Sequence, residues 1–383
     1  MLLRNLLSVS NGKWVDILVE KDKIVAVPTY GVLSEDSLIP TLNFEDAIVF
    51  PGVINSHDHL DFNLFPQLGN KKYNNYIEWG EDIHKQNKAT IDKVLKVPKE
   101  LRMQWGMYKN LLNGITTVVN HGPKVDVKSD ILSVWQDCNV LHSVQLEKKW
   151  KLKLNNLFAS RQPFAIHIGE GTDVKTHEEI DKLLKWNLFK RTLIGIHAIA
   201  MDETQAKGFK AIVWCPDSNY FLIGETAHIA QLKNKTNIVF GTDSSVSASW
   251  NIWEHLRLAR QQNMVTDKEL FEMLNVTPAK IWPIKDKGIL EKNCFADIVI
   301  ARNKAGLTPM NAFYSLNPED ILFVMHRGEI RLFDESLLRQ LNEPKGFCKV
   351  KIKGNTKYLY GDIAGLISSI KEYYPEASFP INF

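Results

Sequence analysis

Residues 47–60 read AIVFPGVINSHDHL, and the fold turns on how that stretch is read. Its apolar run from Ala47 to Val53 is broken only by Pro51 and Gly52, and the stretch closes on His57-Asp58-His59. A short apolar run ending in polar residues is the pattern of a buried strand whose carboxyl end opens into a site. Side chains alternate along a strand, so His57 and His59 point one way and Asp58 the other. Two imidazoles at that spacing can converge on one metal ion. The plain alternative is a pair of polar loop residues.

Three later segments repeat the pattern. PFAIHIGEG (163–171) ends a strand-like run at His167, with Glu170 three residues on. TLIGIHAIAMDE (192–203) ends at His197, and TNIVFGTDSS (236–245) ends at Asp243. AIVWCPDSN (211–219) falls between the last two. The spacing from His167 to His197 suits one strand–helix unit, and that from His197 to Asp243 suits two short ones. Functional residues at the carboxyl ends of successive strands mark a parallel α/β barrel. Any one of these histidines alone could be a satisfied core residue; the recurrence at four strand ends argues for a site.

In this order, His-x-His after PGVIN, His-x-x-Glu, His and Gly-Thr-Asp-Ser resemble the metal-dependent amidohydrolase superfamily, nearest to its cytosine deaminase and chlorohydrolase-like branch. NGITTVVNHG (113–122), VWCPDSNYFL (213–222), WEHLRLA (253–259) and KGILEKNCFADIVIARN (287–303) support the likeness, which covers about residues 1–335. The fold it implies is α/β: a distorted (β/α)8 TIM-type barrel over residues 47–287. Residues 1–46 and 288–383, the latter with a C-terminal extension, would form a small composite β-sandwich. Both ends carry short alternating segments, such as WVDILVE and DILFVMHRGEIRLF, as strands do.

One region departs from a regular barrel. Between a third strand near 139–146 and the strand ending at His167 there is no room for helix, strand and helix. The fourth strand is expected to be shortened, within WKLKLN, which also weakens the case for a bridging lysine among Lys148, Lys149, Lys151 and Lys153. One metal is therefore expected rather than two. Elsewhere, helices are expected over residues 100–113, stopped at Gly114, and from the capping boxes at Thr176 and Thr266.

The resemblance implies His57, His59, His167 and Asp243 as metal ligands. Three imidazoles and a carboxylate suit one divalent ion, with zinc the first choice and iron or manganese able to bind the same groups. The implied reaction is attack of metal-bound hydroxide on a C–N bond at an sp² carbon. Deamination of a heterocyclic amine leads, and hydrolysis of a cyclic or linear amide follows. A non-catalytic binding protein on the same fold is the third reading, and its expected sign is lost ligands. Glu170 matches the glutamate that shuttles a proton to the substrate ring, and Asp243 would also accept a proton. His197 would polarise the reacting centre or serve as a further ligand. His121, Asn219, Trp79 and Trp250 are candidate substrate contacts, each with packing as its alternative. The loop after His59, with Phe62, Phe65, Tyr73, Tyr76 and Trp79, could cover a flat ring. His84, His142, His177, His228, His255 and His326 lack such a context.

Composition agrees with a small-molecule enzyme. The chain of 383 residues balances 47 Lys and Arg against 44 Asp and Glu, a formal charge of +3. That gives no reason to expect a nucleic-acid partner. The basic stretch LEKKWKLKL (146–154) reads as a solvated edge. The four cysteines lack a Cys-x-x-Cys pair and suggest free thiols in a reducing, cytoplasmic setting. No apolar run approaches the ~20 residues that span a bilayer, so no membrane association is expected. A homo-oligomer is compatible with the sequence.

Overall fold

The computed structural model describes residues 1–32, 38–125, 129–341 and 345–383. In chain order the strands are β1 (Leu2–Ser8), β2 (Trp14–Glu20), β3 (Lys23–Ala26), β4 (Thr41–Pro51), β5 (Val53–Asp58), β6 (Ile115–Asn120), β7 (Ser133–Trp135), β8 (Asn139–Ser143) and β9 (Phe164–Ile168). After these come β10 (Leu193–His197), β11 (Ala211–Trp214), β12 (Asn237–Phe240), β13 (Ile298–Arg302), β14 (Ile321–His326), β15 (Glu329–Asp334), β16 (Phe347–Ile352) and β17 (Asn355–Tyr360). The architecture is mixed α/β, with parallel pairing throughout β5-β6-β7 and β8-β9-β10-β11-β12.

The stretch that opens the chain's reading is two strands, not one. Ala47–Pro51 is the end of β4, which pairs with β1 and β13. β5 then turns away to pair with β6. Gly52 makes the corner, where a Cβ would collide with the Thr116 side chain. Residues from both chain ends thus share a single nine-stranded sheet, ordered β16-β17-β15-β14-β13-β4-β1-β2-β3.

The strands that carry the site are buried along their whole length: FAIHI in β9, LIGIH in β10 and AIVW in β11. Burial on both faces explains their near-continuous apolar character. Ala165, Ile194, Ile196, Val213 and Val239 form an inner cluster. Ile166, Leu193 and Trp214 pack outward with helix residues such as Ile180 and Leu183. The loop after β12 meets β5, with Thr242 and Asp243 backbone N–H groups donating to the His57 carbonyl at 3.2 and 3.0 Å.

WKLKL is not the fourth strand. Trp150–Leu154 is a short helix in which Trp150 and Leu154, four apart, are buried and the three residues between are exposed. That is helical spacing, which the alternating Lys and Leu letters concealed. The missing strand is instead absorbed upstream. β7 pairs parallel with β6, and β8 pairs parallel with β9, yet only Gln136, Asp137 and Cys138 separate them. A parallel neighbour needs a crossover of a dozen or more residues, so β7 and β8 are successive pieces of one path. That gives seven strand positions from β5 to β12 among the described residues, not eight.

Two helix starts also move. The helix expected from 100 runs Lys99–Leu112. The helix expected to open at Thr176 runs Val174–Trp186, capped by Asp173, whose carboxylate accepts from the Thr176 N–H and hydroxyl. Asp173 is the better cap because its charge faces the helix's free N–H groups. Thr266 and Glu269 do form the expected capping box. Among the described residues no helix is long and apolar enough to cross a membrane.

Candidate active site

His57 and His59, at the end of β5, hold their rings 4.9 Å apart, and the His167 ring lies 5.1 and 5.3 Å from them. Asp58 turns the other way, into a buried polar net. Its carboxylate accepts from Asn63 at 2.7 Å, Asn110 at 2.8 Å and Asn55 at 3.3 Å, and meets the Lys109 ammonium at 3.3 Å.

His197 and Asp243 complete the cluster from bent backbone. By alternation His197 would share the outward face of Leu193. Positive φ at His197 (70°) and Ala198 (52°) breaks the strand there, and the ring comes within 3.6 Å of Glu170 Oε1. Asp243 also has positive φ, 57°. Left-handed backbone at non-glycine positions is strained and collects at functional sites.

The donor atoms fit a cation. One ligand atom each from His57, His59 and His167 lie mutually within 4.8 Å, as do those of His57, His197 and Asp243. His57 Nε2 is buried without a hydrogen-bond partner. His59 Nε2 and His167 Nε2 face each other at 3.3 Å, and Asp243 Oδ1 stands 3.8 and 3.9 Å from His57 and His59. His167 Nδ1 is 3.0 Å from the His142 carbonyl. Since a carbonyl can only accept, Nδ1 carries the proton and the Nε2 lone pair points inward. Burial, followed by the neighbouring imidazoles, holds His57 and His167 well below the usual histidine range. A buried imidazole cluster that resists protons but keeps its lone pairs is suited to a divalent metal.

The two carboxylates are driven apart. Glu170 is 5 % exposed, and burial, then the charge of Asp243, pushes its pKa well above the ordinary value. Burial alone would raise Asp243 too. The imidazoles of His59 and His197 and a hydrogen bond from Ser247 outweigh it and leave Asp243 at about 2. Asp243 Oδ2 accepts from Ser218 and Ser247, each at 2.8 Å. One group able to hold a proton beside one that stays ionised is an acid–base division of labour.

These groups open into a cavity of about 350 Å³. Phe62 and Phe65, just after His59, line it together with Tyr76 and Trp79 from the helix Tyr76–Gln86, and so do Leu146, Leu222 and Val246. Phe62 stacks on His59 at 5.5 Å, and Trp79 is fixed by donating to the Leu68 carbonyl. Tyr73 faces elsewhere and donates to Asp82.

Three expected substrate contacts do not line the cavity. Asn219 is buried behind His197, with Oδ1 2.8 Å from His197 Nδ1 and Nδ2 donating to Thr226 at 3.0 Å. His121 packs its ring against His167, with centroids 4.5 Å apart, because the end of β6 is tied to β5 through the Asp58 carbonyl. Trp250 joins the apolar core. Conversely, His84 and His142, which the sequence left as ordinary, line the cavity. Ser218, Ser247, Glu179 and the Asp58 net were missed. Ser218 sits within the quoted CPDSN stretch and was within reach; the others come from remote segments with no local signal.

The amidohydrolase family model matches residues 163–331. A 5-methylthioadenosine/S-adenosylhomocysteine deaminase of Caldicellulosiruptor saccharolyticus is 26% identical, over 84% of this chain and 90% of that protein. Among solved structures, a zinc-bound adenosine deaminase from Xanthomonas campestris superposes with a TM-score of 0.69 at 16% identity, covering 95% of this chain and 93% of the other. Atrazine chlorohydrolase from Arthrobacter aurescens TC1, complexed with zinc, gives 0.64 at 16% identity, covering 97% and 99%.

Proposed function

We infer that this chain, an amidohydrolase-superfamily protein, is a metal-dependent hydrolase that deaminates a heterocyclic amine. The carrying observation is a buried Glu170 with Oε1 3.6 Å from His197, its carboxyl pushed up by burial, in a cavity that it shares with His59, His167, Asp243 and a set of aromatic rings. The sequence relative named for 5-methylthioadenosine and S-adenosylhomocysteine supports an aminopurine nucleoside as the substrate.

His57, His59, His167 and Asp243 are the proposed ligands of one divalent ion, zinc by preference, since imidazole and carboxylate suit it. When bound, such an ion lowers the pKa of water to about 7 and so supplies a nucleophile at neutral pH. The chain's own groups do the rest. Asp243, kept ionised, takes up a proton at Oδ1. Glu170 gives its proton from Oε1 to the substrate ring nitrogen, takes up the second proton of the attacking water and passes it to the departing amine, which leaves as ammonia; the proton held on Asp243 then recharges Glu170. His197 holds the reacting centre through Nε2, with Asn219 fixing its ring. Trp79, Phe62 and Phe65 sandwich a planar substrate and exclude water.

The finer architecture is read as a distorted barrel over about 52–287, with residues 1–51 and 288–383 forming the small β domain. The boundary falls just before Gly52 because Ala47–Pro51 pair within the nine-stranded sheet. Four unpaired cysteines support a cytoplasmic setting.

The test is ammonia release by metal-loaded protein from aminated purines and their nucleosides, with pterins, triazines and N-acyl amino acids alongside. Release from an aminopurine nucleoside is expected. Activity confined to N-acyl amino acids would overturn deamination in favour of amide hydrolysis.

A further inference from the structure

A second cavity, about 550 Å³, lies away from the imidazole cluster, against β6, β7 and the β14–β15 hairpin. Its walls are cationic. Lys285, Lys287, Arg327 and Arg331 line it, together with the rings of Trp135 and Phe295. Lys287 is accounted for: its ammonium pairs with Asp297 at 2.5 Å and donates to Thr117 and Ser133 at 3.0 Å each.

The other three cations are not. Arg331 is only 8 % exposed, and its Nε is buried without a hydrogen-bond acceptor. Its guanidinium rests on the Tyr360 ring at 4.4 Å, and Arg327 rests on Phe295 at 4.8 Å. No ion pair among the described residues engages Lys285, Arg327 or Arg331; Asp297, the nearby carboxylate, is spent on Lys287 and His326. Burying a guanidinium without a counter-charge is costly, and the ring contact returns only part of that cost. A buried, uncompensated cation on a cavity wall calls for an anion from outside the chain.

Charge and size narrow the class. Four cations against Asp130, which also lines the cavity, and Asp297 leave a formal excess of two. A phosphate monoester carries about −1.5 to −2 near neutral pH, and guanidinium forks match its oxygens. The volume lies within the roughly 300–1,000 Å³ usual for small-molecule sites, with Trp135 on the wall available to a ring. We propose that this cavity binds a small phosphate-bearing molecule, in addition to the substrate held at the imidazole cluster.

The experiment is calorimetric titration of metal-loaded protein with inorganic phosphate and, separately, uridine 5′-monophosphate, whose ring carries no exocyclic amine for the imidazole cluster to act on. Saturable one-site binding is expected, tighter for the nucleotide because of the ring. Arg331→Gln should weaken both probes by at least about tenfold, the scale of one lost charge-assisted contact. Arg327→Ala, at an exposed position, should weaken them as well. Both variants should keep the basal ammonia release. Equal binding to wild type and both variants, or no heat for either probe, overturns the proposal. Binding of phosphate with no gain for the nucleotide supports a phosphate site without a ring pocket.

Discussion

The Lys109 ammonium stands 3.3 Å from Asp58 Oδ2, and both side chains are closed off from solvent. Asp58 sits between two histidines of the site, so whatever holds its carboxylate also holds the angle at which His57 and His59 leave the strand. Lys109 reaches it from the helix Lys99–Leu112 and also donates to Thr242, next to Asp243. One buried cation therefore ties two walls of the imidazole cluster together.

Removing one member of a buried ion pair costs roughly 3–5 kcal/mol, because the partner's charge is stranded. Lys109→Met should fall near the lower end, since three amide donors still reach Asp58. Adding Asp58→Asn should recover part of the loss by removing the stranded charge. Urea unfolding of the metal-loaded single and double variants measures this. A Lys109→Met protein as stable as wild type would mean the amides alone hold the carboxylate.

Metal content gives the second prediction. Elemental measurement should find about one divalent ion per chain. Chelation should lower the melting temperature, because an ion bound only by the native state stabilises it, by about 2.7 kcal/mol at a hundredfold excess over its dissociation constant. His57→Ala should abolish retention, since its unpartnered Nε2 belongs to both candidate donor groups. Retention of metal by His57→Ala would exclude both groups.

The site was legible in the sequence wherever chemistry sat at a strand end. His57, His59, His167, Glu170, His197 and Asp243 could all be named because apolar runs stop at them. What could not be read is how they are supported. Lys109, Asn110 and Glu179 lie on helices, where a polar letter facing inward looks like one facing water until packing is known. The region 121–163 failed for another reason. Strand pairing there is shared between two short pieces joined by three residues, and WKLKL carries an alternation that helical burial overrides.

Glu179 should make stability fall with rising pH. Burial is the leading cause that pushes its pKa from the ordinary 4.5 to about 7. Its carboxylate accepts from the Gly169 N–H at 2.9 Å and from Gln145 at 2.9 Å, so it supports the turn that presents Glu170. A carboxyl raised on folding binds its proton more tightly in the native state. Its contribution is full below about pH 4.5 and is lost as pH climbs through about 7. The shift sets an upper scale of about 3 kcal/mol over that window. Glu179→Gln should flatten this part of the stability–pH curve, read from urea midpoints at several pH values. An unchanged slope would assign the effect to other groups.

Asn219 tests whether His197 is held by its protein partner or by the metal. Its Oδ1 lies 2.8 Å from His197 Nδ1, and its Nδ2 donates to Thr226, which also accepts from the Trp214 indole. In this arrangement His197 carries its proton on Nδ1 and turns a lone pair at Nε2 toward Glu170, 3.6 Å away. Asn219→Ala frees the ring to rotate. Loss of such an orienting partner typically costs about 10–100-fold, and kcat should drop by that order with little change in KM or metal content. Glu170→Gln removes the titrating group itself and should cost more, about 10²–10⁴-fold, again with metal retained. The double variant should be scarcely worse than Glu170→Gln, because a well-aimed imidazole is of little use when no proton is delivered beside it. Asn219→Asp should restore part of the rate by offering Nδ1 an acceptor again, which a loss through general destabilisation would not allow. If Asn219→Ala or His197→Asn instead emptied the metal site, His197 would be a ligand alongside His57 and Asp243, and the donor set built on His59 and His167 would have to be redrawn.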